Sequence, residues 1–182
     1  HVTFSPVVDL VRDPRWGRVM ESTGEDPLLN SRLAAAMVRG YQGENLKEDN
    51  WRVAACVKHF AAYGGALAGR DYNTVDMSER QLREMYLPGY KAGLDAGAKL
   101  VMTSFNTVDG IPATGNQWLF RDVLRNEFGF EGVVISDWGA IKELIPHGVA
   151  KDEKQAAELA IKAGVDIEMM TTCYPDYLKE LL

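Results

Sequence analysis

Cysteine is scarce in this chain: two residues, Cys56 and Cys173, among 182. They lie far apart and neither has metal-ligand spacing, so no disulfide framework or thiolate metal site can be read from them. Cys56 sits inside an apolar run and reads as a small core residue. Positive charge is also in deficit. Lys and Arg number 20 against 26 Asp and Glu, for a net charge of −6. With no basic stripe to neutralise phosphates, this argues against nucleic acid or an anionic membrane as the main partner. No apolar run approaches the roughly 18 residues of a membrane-spanning helix, so membrane insertion is not expected. No Gly-x-Gly-x-x-Gly follows the first strand, which counts against a dinucleotide-binding sheet. Gly-x-Ser-x-Gly and phosphate-binding loops are missing too. His147 has no partner at metal-ligand spacing and reads as structural.

What remains is ordinary for a globular domain, with 46% hydrophobic and 25% charged residues. There is no initiator methionine and no signal peptide. The chain opens in strand-like sequence and closes inside the helical pattern Tyr177–Leu182, so both ends read as cut from a longer polypeptide. Between them, strands and helices alternate. Strands are expected at Val2–Val8, Val53–His59, Leu100–Phe105, Val133–Ser136 and Asp166–Met170. Asp26-Pro27 caps and opens a first helix, where proline lacks only a donor that would be unpaired anyway. Its apolar residues Leu29, Leu33, Ala36, Met37 and Tyr41 keep helical spacing. Ser78-Glu79-Arg80-Gln81 is a capping box, followed by Leu82, Met85 and Tyr86 on one face. Pro88 is expected to break or kink that helix, with a second one running to Gly97. Asn116 and Asp152 are further caps, and Gly164 ends the helix that Asp152 opens.

Strand, helix, strand in repetition means parallel βαβ units with right-handed crossovers. A (β/α)8 barrel needs roughly 250 residues. About five units fit here, so the expected fold is α/β, a partial TIM-like barrel. The long connections Val11–Asp26, Ala61–Met77 and Thr107–Gly115 follow strands and belong to the catalytic edge.

The chemistry collects at those strand ends. Gly132-Val133-Val134-Ile135-Ser136-Asp137-Trp138-Gly139 is a short buried strand that ends in a carboxylate beside an indole. Such a pair suits a sugar-cleaving site, where one residue meets the anomeric carbon and the other stacks on the ring. An Asp capping the next helix is the plain alternative. Lys58-His59 ends another strand, and a lysine there needs a partner. It could pair with a carboxylate, bind sugar hydroxyls, or form a Schiff base as in a lyase or aldolase. Neighbouring strand residues point to opposite faces, so both reach one ligand only if the backbone departs from regular β. Arg18 lies in an ordered loop, where a salt bridge is the plain reading. Arg70-Asp71-Tyr72-Asn73 is a second polar cluster, and Met102 and Phe105 fit core packing.

Together, segments 13–27 (DPRWGRVMESTGEDP), 53–65 (VAACVKHFAAYGG), 69–98 (GRDYNTVDMSERQLREMYLPGYKAGLDAGA) and 127–145 (EFGFEGVVISDWGAIKELI) resemble the glycoside hydrolase family 3 β-glucosidases, in particular the bacterial periplasmic type. The resemblance implies that Asp137 is the nucleophile of a retaining hydrolase. It implies that Arg18, Lys58 and His59 hold hydroxyls of the sugar being cleaved, that Trp138 is a wall of the site and that Met102 lies near the sugar. Phe105 departs from the Tyr found in many members, whose hydroxyl contacts the nucleophile. No His-Gly-Asp pattern follows Lys58-His59, which favours the glucosidase or xylosidase branch over N-acetylglucosaminidases.

The same resemblance implies that upstream barrel strands and a downstream α/β domain are missing, the latter supplying the acid/base Glu. None of Glu21, Glu25, Glu131, Glu143 or Glu168 matches that residue. The implied substrate is an oligosaccharide or β-glucoside, the implied partner is the rest of the polypeptide, and the implied location is periplasmic or secreted. The chemistry needs no cofactor. The segment alone is expected to be inactive, and its two unpaired sheet edges leave room for a homo-oligomer.

Overall fold

The computed structural model of the chain describes residues 1–72 and 74–181. Its strands β1 (Val2–Thr3), β2 (Ala54–Phe60), β3 (Leu100–Thr103), β4 (Val133–Trp138) and β5 (Ile167–Met169) pair in chain order, all parallel. Successive βαβ crossovers, each running to the neighbouring parallel strand, give this order. The sheet is a curled half-barrel, as the α/β reading of a partial (β/α)8 barrel expects. Pro6 cannot donate to a ladder and interrupts the first strand. Beyond it, the Val8 amide still donates to the Lys58 carbonyl at 2.8 Å.

Alternation along the strands separates two apolar layers. Ala55, Val57, Val101 and Val134 join the helices in the larger core. Ala54, Cys56, Leu100, Met102 and Ile135 form an inner layer on the other face. Burial there pushes the Cys56 thiol up to about 12, which suits a packing residue.

Helix α1 (Pro27–Gln42) starts where Asp26 accepts from the amides of Leu28 and Leu29. Its buried positions are Asn30, Ala34, Val38 and Gln42. The more apolar Leu29 and Leu33 are exposed. Polar residues line the inner face because each finds backbone partners. Asn30 donates to the Val8 carbonyl, while Gln42 accepts from the Ala55 amide and donates to the Gly97 carbonyl. Small Ala34 and Val38 permit the close approach.

Pro88 does not end the second helix. Glu79–Gln81 continues through a π-helical stretch, Leu82–Tyr86, into Leu87–Asp95, and the whole is α2. The wider turn before Pro88 takes up its missing donor. Ser78 caps it, accepting from the Gln81 amide. Helix α3 (Trp118–Glu127) is also π-helical. Helix α4 (Glu153–Ala163) is capped by Asp152 and closed by Gly164 at φ 111°. In α5 (Cys173–Leu181), Glu168 accepts from the amides of Cys173 and Tyr174. Leu182 lies outside the described residues.

Long loops gather at the C-terminal edge of the sheet. Thr74–Val75 pairs in parallel with Thr107–Val108, which pairs antiparallel with Ile111–Pro112. Gly64 lets two loops touch: the Arg12 amide donates to its carbonyl at 3.0 Å. A Cβ at Gly64 would lie 2.4 Å from the Leu10 carbonyl oxygen.

Candidate active site

Asp137 stands at the C-terminal end of β4, 8% exposed. Its amide donates to Thr103 Oγ1 at 3.2 Å, and its Oδ1 accepts from the Trp138 amide at 2.6 Å. Among the described residues its Oδ2 accepts no hydrogen bond. That oxygen is buried and faces His59 Nε2 at 3.4 Å. One oxygen is thus fixed by the backbone while the other is left for chemistry.

His59 sits where β2 loses its regular pairing. Its register with β3 shifts between Val57 and Phe60. The backbone therefore departs from regular β at the pair, the condition for both side chains to reach one ligand. The bonds to Arg18 hold the Glu21 carboxyl below the ordinary carboxylate value, and the nearby Lys58 adds to the effect. Lys58 is half-buried and forms no ion pair among the described residues.

Arg18 holds Glu21 with two bonds of 2.7 Å, the ion pair of its plain reading, and lies 5.6 Å from the centre of the Tyr63 ring. Trp138 is 63% exposed, so its indole offers a free face beside Asp137. Met102 is buried in the inner layer with Cys56 and Ile135. Phe105 belongs to an aromatic cluster with Trp16 and Tyr63. Its carbonyl accepts from His147 Nε2 at 3.1 Å, which gives His147 a structural partner. In the second polar cluster, Asp71 accepts from Trp16 Nε1 at 3.0 Å, tying two loops together. Asn73 lies outside the described residues.

Three residues at the site, Asp9, Tyr90 and Tyr63, were not singled out from the sequence, and Glu143 was set aside there. Asp9 is fully buried and contacts His59 Nδ1 at 2.7 Å. Its signal was available, since Asp9 follows the first strand as Asp137 closes the fourth. Tyr90, on α2, donates to Asp9 Oδ1 at 2.7 Å. Tyr63 packs edge-on against His59 at 5.2 Å between ring centres. Glu143, with Tyr72, Pro146 and His147, lines a shallow cleft of about 300 Å³. Burial raises the Glu143 carboxyl, and the charge of Asp137 raises it further.

A half-barrel with a carboxylate, an imidazole and an indole at its C-terminal edge defines a candidate glycosidase site. Residues 1–182 match the glycosyl hydrolase family 3 N-terminal domain, and the chain belongs to that family. It is 50% identical over its whole length to a periplasmic β-glucosidase of Salmonella typhimurium, covering 24% of that protein. It is 41% identical to a β-xylosidase of Formosa agariphila, over 92% of this chain and 24% of the relative. The crystal structure of a Listeria innocua β-glucosidase in complex with glucose superposes with a TM-score of 0.98 at 67% identity, covering 100% of this chain and 25% of the other. The chain spans about a quarter of the length of these relatives.

Proposed function

We propose that this chain is the nucleophile-bearing part of a retaining β-glucosidase, which releases terminal non-reducing β-D-glucosyl residues from oligosaccharides or β-glucosides. The free, buried Oδ2 of Asp137 at a strand end carries the reading. Asp137 attacks the anomeric carbon as the bond to the leaving oxygen breaks, and that oxygen takes a proton from an acid. Water then attacks the glycosyl ester, gives its proton to the same group, and frees Asp137 with retention. Arg18, Lys58 and His59 hold the sugar hydroxyls with bonds that tighten as the ring flattens. Trp138 stacks on the ring, and Met102 supports the floor from the inner layer. The acid/base Glu and the remaining barrel strands come from parts of the polypeptide outside these residues. Export to the periplasm or beyond is supported by the periplasmic relative.

A second reading, β-xylosidase, is favoured by the relative of that name. Incubating the full-length protein with a 2-deoxy-2-fluoro-β-glucosyl donor, followed by peptide mass mapping, separates the two. The expected result is one sugar on the peptide that contains Asp137, and Asp137→Asn is expected to abolish labelling and turnover while the protein stays folded. Labelling only by the xylosyl analogue would select the xylosidase. A label on another carboxylate removes Asp137 from the role.

A further inference from the structure

Asp9 makes no contact with a sugar in the proposed chemistry, yet it is completely buried. A buried carboxylate costs several kcal/mol unless its oxygens are bonded. Here both are. Oδ2 lies 2.7 Å from His59 Nδ1, Oδ1 accepts from the Tyr90 hydroxyl at 2.7 Å, and the His59 amide approaches both oxygens at 3.3 Å. The Tyr90 hydroxyl also donates to the His59 carbonyl at 2.6 Å, sharing its one hydrogen between two acceptors. Burial, then the charge of Asp9, keeps that phenol protonated by raising it well above the ordinary tyrosine value. Side chain, amide and carbonyl of His59 are therefore all held by one pair of residues.

An ionised carboxylate only accepts, so Nδ1 of His59 carries a hydrogen. That commits the ring's tautomer and turns Nε2 towards Asp137 Oδ2, 3.4 Å away. We infer that Asp9, anchored by Tyr90, is a positioning residue that fixes the orientation and tautomer of His59 and so presents Nε2 to the sugar beside the nucleophile. The inference rests on the proposed β-glucosidase activity, with His59 as a sugar contact. An orienting carboxylate behind a working histidine has this role in other enzymes, where its replacement by the amide presents the wrong tautomer. Asn at position 9 can offer its NH2 group to Nδ1, which moves the ring hydrogen to Nε2.

The test is a pair of double-mutant cycles in the full-length enzyme, read as kcat/KM on 4-nitrophenyl β-glucoside. Asp9→Asn is expected to lose roughly 10- to 100-fold, the usual cost of removing a partner that orients a working histidine. Tyr90→Phe is expected to lose about 3- to 10-fold, the worth of one hydrogen bond. In a His59→Ala background, each substitution is expected to change kcat/KM by less than about twofold, because the partner through which it acts is gone. A purely structural role predicts the same loss with or without His59, and such additive losses overturn the inference. If Asp9→Asn does not fold, the Tyr90→Phe cycle decides alone. A wild-type enzyme that hydrolyses no β-glucoside overturns the proposed activity and this inference together. Additive losses in an active enzyme overturn the inference and leave the activity standing.

Discussion

At the scale of single residues, the site sets carboxylates against one another. Glu143 and Asp137 are close enough that the charge of one raises the carboxyl of the other, on top of the effect of burial. A carboxyl whose folded pKa is raised stabilises the fold fully below its unfolded value, and that stability is lost as pH rises through the folded value. At neutral pH an ionised Glu143 is therefore a cost. Glu143→Gln is expected to raise Tm at pH 7, with the gain vanishing near about pH 4, where glutamate is largely protonated in both states. Thermal unfolding of the full-length protein at several pH values checks this, and a lower Tm at pH 7 would sink it. Turnover is expected to survive. A collapse of kcat restored by azide would instead make Glu143 the acid/base and bring that role inside this chain. The place of Asp137 at a strand end was legible because a carboxylate after an apolar strand is a local pattern. The contacts of Asp9 were not, because Tyr90, which donates to it, lies 81 residues away in sequence.

At the scale of elements, four of the five sheet strands were readable to within two residues, whereas the first stops at Thr3 rather than Val8, and neither the small three-stranded sheet nor the inner face of α1 was readable. Apolar spacing marks Leu29 and Leu33, yet the helix buries Asn30 and Gln42, since the core there consists of backbone groups that need partners. Gly89 of α2 packs directly on this face. A Cβ there would stand 1.8 Å from Asn30 Oδ1. Asn30 cannot swing away freely, because its amide donates to the Val8 carbonyl and to Thr23 Oγ1. Gly89→Ala is expected to destabilise by about 1–3 kcal/mol, the usual cost of overpacking. Gly40, also helical, has open space where a Cβ would stand, with nothing within 4 Å. Gly40→Ala is expected to be neutral or to stabilise by up to about 1 kcal/mol. Denaturant melts of the two variants should move in opposite directions; equal losses would mean that the α1–α2 contact does not set the difference.

At the scale of the whole molecule, an open half-barrel leaves polar and apolar surface that a closed barrel would cover. Among the described residues, β1 and β5 are each paired on one side only. Val2 is 50% exposed, Phe4 just beyond β1 is 48% exposed, and Ile167 at the other edge is 45% exposed. Parallel edges with unpaired amides and carbonyls are templates for another chain. A net charge of −6 opposes association only over the Debye length, about 8 Å at physiological salt. The 182-residue chain expressed alone is therefore expected to self-associate in a concentration-dependent way. Sedimentation velocity across a dilution series reads this directly. Phe4→Lys places a charge at the β1 edge, the device natural sheets use to block such pairing, and should shift the population towards monomer. A chain that stays monomeric at every concentration would show that its edges are already protected by their short length and by their twist.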